Sequence, residues 1–131
     1  LSRAPFVCVI DDDQSLCAAL VNLLRSYGYR TAAYGSADDF LAGADMARVD
    51  CVISDIQMPG MSGIDLRLLL MGTRPDIPVI LMTARTEPVL LERAAATKPF
   101  RLLQKPFDAQ DLAECLADAI GPGEAAIQGA D

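Results

Sequence analysis

Five side chains in this sequence could jointly handle a phosphoryl group and a metal ion: Asp11, Asp12, Asp55, Thr83 and Lys105. Taken singly, each has an ordinary structural explanation. An Asp after an apolar run often caps a helix, as Asp13 is expected to do here. A Thr at a strand end is commonly structural, and a Lys before Pro commonly faces solvent. Taken together they supply three carboxylates, a hydroxyl and an ammonium. Carboxylates brought within a few ångströms of one another raise each other's pKa and destabilise the fold unless something compensates. A hard divalent cation does so, since magnesium takes six oxygens at about 2.1 Å from carboxylates, carbonyls, waters and phosphate. In such a pocket Asp55 gives one oxygen to the metal and keeps the other free to attack phosphorus. Lys105 acts as a point charge on the phosphoryl oxygens and Thr83 offers its hydroxyl. The backbone N–H groups of Ile56 and Ala84 complete the cradle. The product is an acyl phosphate on Asp55, open to hydrolysis by a water in line with it.

The elements that must bring these residues together are legible as an alternation of strands and helices. Phe6 to Ile10 is an apolar run ending in Asp11, Asp12 and Asp13, the pattern of a central parallel strand covered on both faces. Leu16, Leu20, Leu23, Leu24 and Tyr27 form one apolar helical stripe closed by Gly28. Thr31 to Tyr34 reads as a second strand, and Ser36 as the cap of a second helix with Asp39 returning the interaction. Cys51 to Ile53 leads into Ser54 and Asp55, followed by turn residues up to Gly63 and a helix marked by Leu66, Leu69 and Leu70. Val79 to Met82 is a fourth strand. The segment from Arg85 to Ala96 is predicted helical, with Pro88 suited to its first turn. Leu102 and Leu103 give a fifth strand, and Asp108 is placed as the cap of a last helix carrying Leu112, Leu116 and Ile120. This order predicts an α/β fold with five parallel strands in the order 2-1-3-4-5 and helices on both faces, a flavodoxin-like doubly wound sheet. Its ligand site belongs at the carboxyl ends of the strands, where Asp11, Asp12, Asp55, Thr83 and Lys105 fall.

At 131 residues the chain makes one domain, assigned to residues 1–120, with 121–131 reading as a flexible tail or linker. Hydrophobic residues at 52% support a full core, and the apolar runs are too short to span a bilayer. A net charge of −7 argues against direct binding of nucleic acid or an anionic membrane. The four cysteines have no metal-binding spacing and there is no histidine, so they read as small buried hydrophobes of a cytoplasmic protein.

The motifs Val9-Ile10-Asp11-Asp12-Asp13, Ser54-Asp55-Ile56-Gln57-Met58-Pro59-Gly60-Met61-Ser62-Gly63, Thr83-Ala84 and Lys105-Pro106-Phe107 together resemble the receiver domain of bacterial two-component response regulators, over about Phe6 to Ile120. The resemblance implies that Asp55 receives a phosphoryl group from a histidine of a sensor kinase or phosphotransfer protein. It implies that Asp11, Asp12, Asp55 and the carbonyl of Gln57 hold magnesium, Asp12 directly and Asp11 largely through water. It also implies that Gln57 and Arg85 modulate the acyl phosphate's lifetime. Phosphorylation in the family rearranges the face of the fourth helix, fifth strand and fifth helix, which then changes partner, sometimes by forming a homodimer. An output domain beyond Gly121-Pro122-Gly123 is a further expectation.

Two departures from the family pattern fall on that face. Leu102 stands where an aromatic residue commonly reports the threonine's position. Lys98-Pro99 stands where Gly and Ala usually precede the fifth strand, and Pro99 is expected to push Lys98 toward extended geometry. A constitutive, phosphorylation-independent interaction module is the alternative function. A small-molecule phosphatase is disfavoured, because no second aspartate lies two residues beyond Asp55 and no cap insertion is present.

Overall fold

A computed structural model describes residues 4–123. Strands β1 (Phe6–Ile10), β2 (Arg30–Tyr34), β3 (Cys51–Asp55), β4 (Val79–Thr83) and β5 (Arg101–Gln104) alternate with helices α1 (Gln14–Ser26), α2 (Ala37–Gly43), α3 (Gly63–Thr73), α4 (Pro88–Ala96) and α5 (Ala109–Ile120). A short 3-10 turn at Met46–Arg48 precedes β3 and was not foreseen from the sequence. All pairings are parallel and the strand order is β2-β1-β3-β4-β5, as expected.

The apolar runs become central strands because both faces of the sheet are covered. Val7, Val9, Val52, Ile53 and Ile80 are fully buried, and each such side chain contributes about 1.5–3 kcal/mol of hydrophobic stabilisation. Alternation divides them between two cores. Cys8, Ile10, Val52 and Leu81 pack with Phe40, Leu66 and Leu70 on one side. Val7, Val9, Ile53 and Met82 pack with Leu20, Leu24, Leu112 and Leu116 on the other. The four cysteines are buried free thiols. Burial raises all four, pushing Cys8 up to about 12 and Cys115 up to about 11, so they stay protonated at neutral pH.

Several local expectations are adjusted. Asp13 and Ser36 cap α1 and α2, accepting from the N–H groups of Leu16 and Asp39 at 3.1 and 3.0 Å. The carboxylate of Asp39 makes no returning bond among the described residues, and Asp108 occupies the cap position of α5 without a side-chain hydrogen bond. The fourth helix starts at Pro88 rather than Arg85, since proline's fixed φ and missing N–H suit a first helical position. Leu69 faces outward, 38% exposed. Lys98 is not extended: its φ is +51°, in the left-handed region. Arg67 of α3 secures this turn, donating from Nε to the Thr97 carbonyl at 3.1 Å and from its NH2 group to the Lys98 carbonyl at 2.7 Å.

The segment predicted as a tail lies largely outside the described residues. Its first three residues are seen: Tyr29 donates to the Gly121 carbonyl at 2.8 Å and Gly123 is buried. A Cβ at Gly123 would stand 2.0 Å from the Tyr27 carbonyl oxygen. No described helix is long and apolar enough to cross a membrane.

Candidate functional site

Parallel register places the chemical residues along one edge of the sheet. Ile10 lies opposite Ser54, so Asp11, the next residue, meets Asp55 at the end of β3. Asp55 lies opposite Met82, which sets Thr83 one step beyond at the end of β4. Thr83 lies opposite Gln104, and Lys105 follows with its N–H donating to the Thr83 carbonyl at 2.7 Å. The Lys105–Pro106 bond is cis. Gly63 fixes the other wall. Its N–H donates to the Ile56 carbonyl at 2.8 Å, and a Cβ there would meet the Asp55 carbonyl oxygen at 2.2 Å. Only glycine lets α3 begin so close to the backbone of Asp55.

The side chains converge as the sequence predicts for the acids and the lysine. Asp11, Asp12 and Asp55 each offer a carboxylate oxygen, and these oxygens lie within 4.8 Å of one another. Lys105 Nζ sits 2.8 Å from Asp11 Oδ2 and 3.6 Å from Asp55 Oδ2. Asp11 is buried, Asp55 half-buried and Asp12 exposed. The other oxygen of Asp11 accepts the Asp13 N–H at 2.9 Å, and Cys17 Sγ donates to the Asp11 carbonyl at 3.2 Å, fixing the loop from both sides.

Burial raises the Asp55 carboxyl above its ordinary range; Lys105 opposes this and Asp11 adds to it. For Lys105, burial lowers the ammonium, but the hydrogen bond to Asp11 and the charges of Asp55 and Asp11 outweigh it and raise the net value. Lys105 therefore remains charged. A cluster of hard oxygen donors with no nitrogen or sulfur suits a divalent cation such as magnesium rather than a soft metal.

The other predicted positions are placed unequally. Thr83 is buried, and its Oγ1 accepts the Arg85 N–H at 2.9 Å. The Ile56 N–H donates to the Met82 carbonyl at 2.9 Å and so serves the sheet, whereas Ala84 is exposed. Gln57 and Arg85 meet directly, the Arg85 NH1 group donating to Gln57 Oε1. Leu102 is half-buried and packs against the same core as Leu90 of α4. Sequence reasoning missed Glu87, which holds the remaining side of the Arg85 guanidinium. An Arg and a Glu two residues apart were the available signal, but such spacing is uninformative until the loop conformation is known.

Known proteins share this sequence pattern and fold. The family model for the response regulator receiver domain matches residues 7–117. The C4-dicarboxylate transport transcriptional regulatory protein DctD of Rhizobium meliloti is 35% identical over 114 residues, covering 87% of this chain and 25% of that protein. Nodulation protein W of Bradyrhizobium diazoefficiens is 32% identical over 118 residues, covering 90% of this chain and 52% of its own length. The crystal structure of a receiver domain protein from Clostridium thermocellum superposes with a TM-score of 0.80 at 28% identity, covering 88% of this chain and 94% of that one. The chain belongs to the response regulator receiver domain family, and its Asp11, Asp12, Asp55 and Lys105 match that family's phosphoacceptor and magnesium site. It spans at most about half the length of these two curated relatives.

Proposed function

We propose that this domain accepts a phosphoryl group on Asp55 from a phosphohistidine of a sensor kinase or phosphotransfer protein and changes partner in consequence. The convergence of Asp11, Asp12 and Asp55 within 4.8 Å, with Lys105 against two of them, carries this reading. Asp11, Asp12, Asp55 and the Gln57 carbonyl would hold magnesium, which would supply positive charge to screen the repulsion between Asp55 and the incoming group. An Asp55 oxygen forms the new bond to phosphorus while the bond from phosphorus to the donor nitrogen breaks, leaving an acyl phosphate and a free imidazole. Lys105 exchanges its ion pairs for the phosphoryl oxygens, and the Thr83 hydroxyl donates to another. The exposed Ala84 supplies a backbone N–H, and that of Ile56 contributes once it turns from Met82. The chain itself performs the transfer and the slow hydrolysis, with no small-molecule turnover.

An apolar groove lined by Leu16, Leu20, Leu23 and Phe107 runs beside Lys105 and Asp13, and a donor protein covering it would have its histidine near the pocket. The output face is α4, β5 and α5, where Arg101 pairs with Asp118 at 3.3 Å. A second copy or an attached output domain would meet the protein there.

Acetyl phosphate with magnesium should add one phosphoryl mass to the wild type and none to Asp55→Asn, by intact mass measurement. The gain should vanish with chelator. An unmodified wild type would instead favour a constitutive interaction module.

A further inference from the structure

Arg85 bridges the loops that follow Asp55 and Thr83. Its Nε donates to the two carboxylate oxygens of Glu87 at 2.8 and 3.1 Å, and its NH2 group donates to Oε1 of the same carboxylate. Its NH1 group donates to Gln57 Oε1, two residues beyond Asp55. The backbone of Arg85 is also tied to the site, its N–H donating to Thr83 Oγ1 at 2.9 Å and its carbonyl accepting from Gln104, beside Lys105, at 3.3 Å. Glu87 holds the position before Pro88, the first residue of α4, yet makes no capping bond to that helix. Among the described residues Arg85 is the one side chain that engages its carboxylate.

A phosphoryl group on Asp55 would compete for this guanidinium. It carries roughly −1.5 to −2 charge and three acceptor oxygens, against a single charge on a carboxylate. The guanidinium fork fits either anion. Half of each partner of the Arg85–Glu87 pair is open to solvent, so exchange of one anion for the other is inexpensive.

We propose that Glu87 is a positioning residue that restrains Arg85, competing with the phosphoryl group for the guanidinium and losing it when Asp55 is phosphorylated. This rests on the reading of Asp55 as phosphoacceptor. It gives the residue preceding α4 a direct response to phosphate, at a site where Leu102 has no ring to supply one. Restraint of Arg85 slows phosphoryl gain, because the cation is withheld from the incoming donor.

The test follows phosphoryl gain by intact mass at subsaturating acetyl phosphate with magnesium. Glu87→Gln should react about two- to five-fold faster than wild type, the range an exposed ion pair sets. The change should appear as tighter half-saturation by acetyl phosphate with the same rate at saturation. Glu87→Asp keeps the anion and should stay near wild type. In an Arg85→Ala background, Glu87→Gln should have no effect. Equal rates for wild type and Glu87→Gln, an undiminished effect without Arg85, or Glu87→Asp behaving as Glu87→Gln would each overturn the proposal. A wild type that takes no phosphoryl group would defeat the phosphoacceptor reading itself, and this inference with it.

Discussion

Asp55 must be charged to attack phosphorus, yet it sits where burial and Asp11 favour its neutral form. The fold tolerates this because the Lys105 ammonium stands 3.6 Å away and opposes the shift. The raised pKa has a definite sign in stability. The native state holds the Asp55 proton to higher pH than the unfolded chain, so this group's contribution is fully present at low pH and is lost as pH rises through the raised value. Asp55→Asn removes that loss. In chelator at pH 7, its melting temperature should exceed that of wild type by a few degrees, and the difference should fade as pH drops below the ordinary carboxylate range. Magnesium should also close the gap by stabilising the wild type alone. A gap that widened on acidification would mean that Asp55 is held ionised by its partners. Much of this chemistry was legible because the acids, the threonine and the lysine each follow an apolar run. The Glu87 contact was not, since it depends on how the loop after Thr83 turns.

The elements themselves differ in how well the chain announces them. Central strands such as Val79–Thr83, buried along their whole length, are written as continuous apolar residues. The edge strand Arg101–Gln104 has exposed ends and only Leu102 and Leu103 to mark it, so the sequence pattern is shorter than the strand. The turn from α4 to β5 differs from what its sequence predicts because its geometry is set from a distance. Pro99 argues for an extended Lys98, but Arg67 engages the Thr97 and Lys98 carbonyls from thirty residues away and accompanies a left-handed Lys98. A non-glycine residue there costs about 1–2 kcal/mol. Lys98→Gly should therefore stabilise the domain by roughly 1 kcal/mol in urea denaturation with an unchanged slope. Arg67→Met should lose about 1–2 kcal/mol, since a charged donor leaves two carbonyls without it. Destabilisation by Lys98→Gly would show that the lysine side chain contributes more than its backbone strain costs.

At the scale of the molecule, topology converts sequence order into a site. A parallel sheet of order β2-β1-β3-β4-β5 aligns four strand ends that are distant along the chain, which is why alternating apolar runs and helical stripes are enough to locate the pocket. The net charge of −7 and the four buried thiols leave this acid cluster as the main chemistry of the described residues. The surface is harder to read from sequence: Leu68, Met71 and Val89 are 51%, 42% and 69% exposed, and periodicity alone does not distinguish them from core leucines. The match to receiver domains covers residues 7–117, so the phosphoacceptor chemistry is a property of this domain. Its most direct test is to phosphorylate the chain with acetyl phosphate and magnesium, reduce it with borohydride and map the peptides by mass. An acyl phosphate on Asp55 is reduced to homoserine, so residue 55 alone should exchange one oxygen for two hydrogens. An unaltered residue 55, or reduction at another acid, would contradict the account.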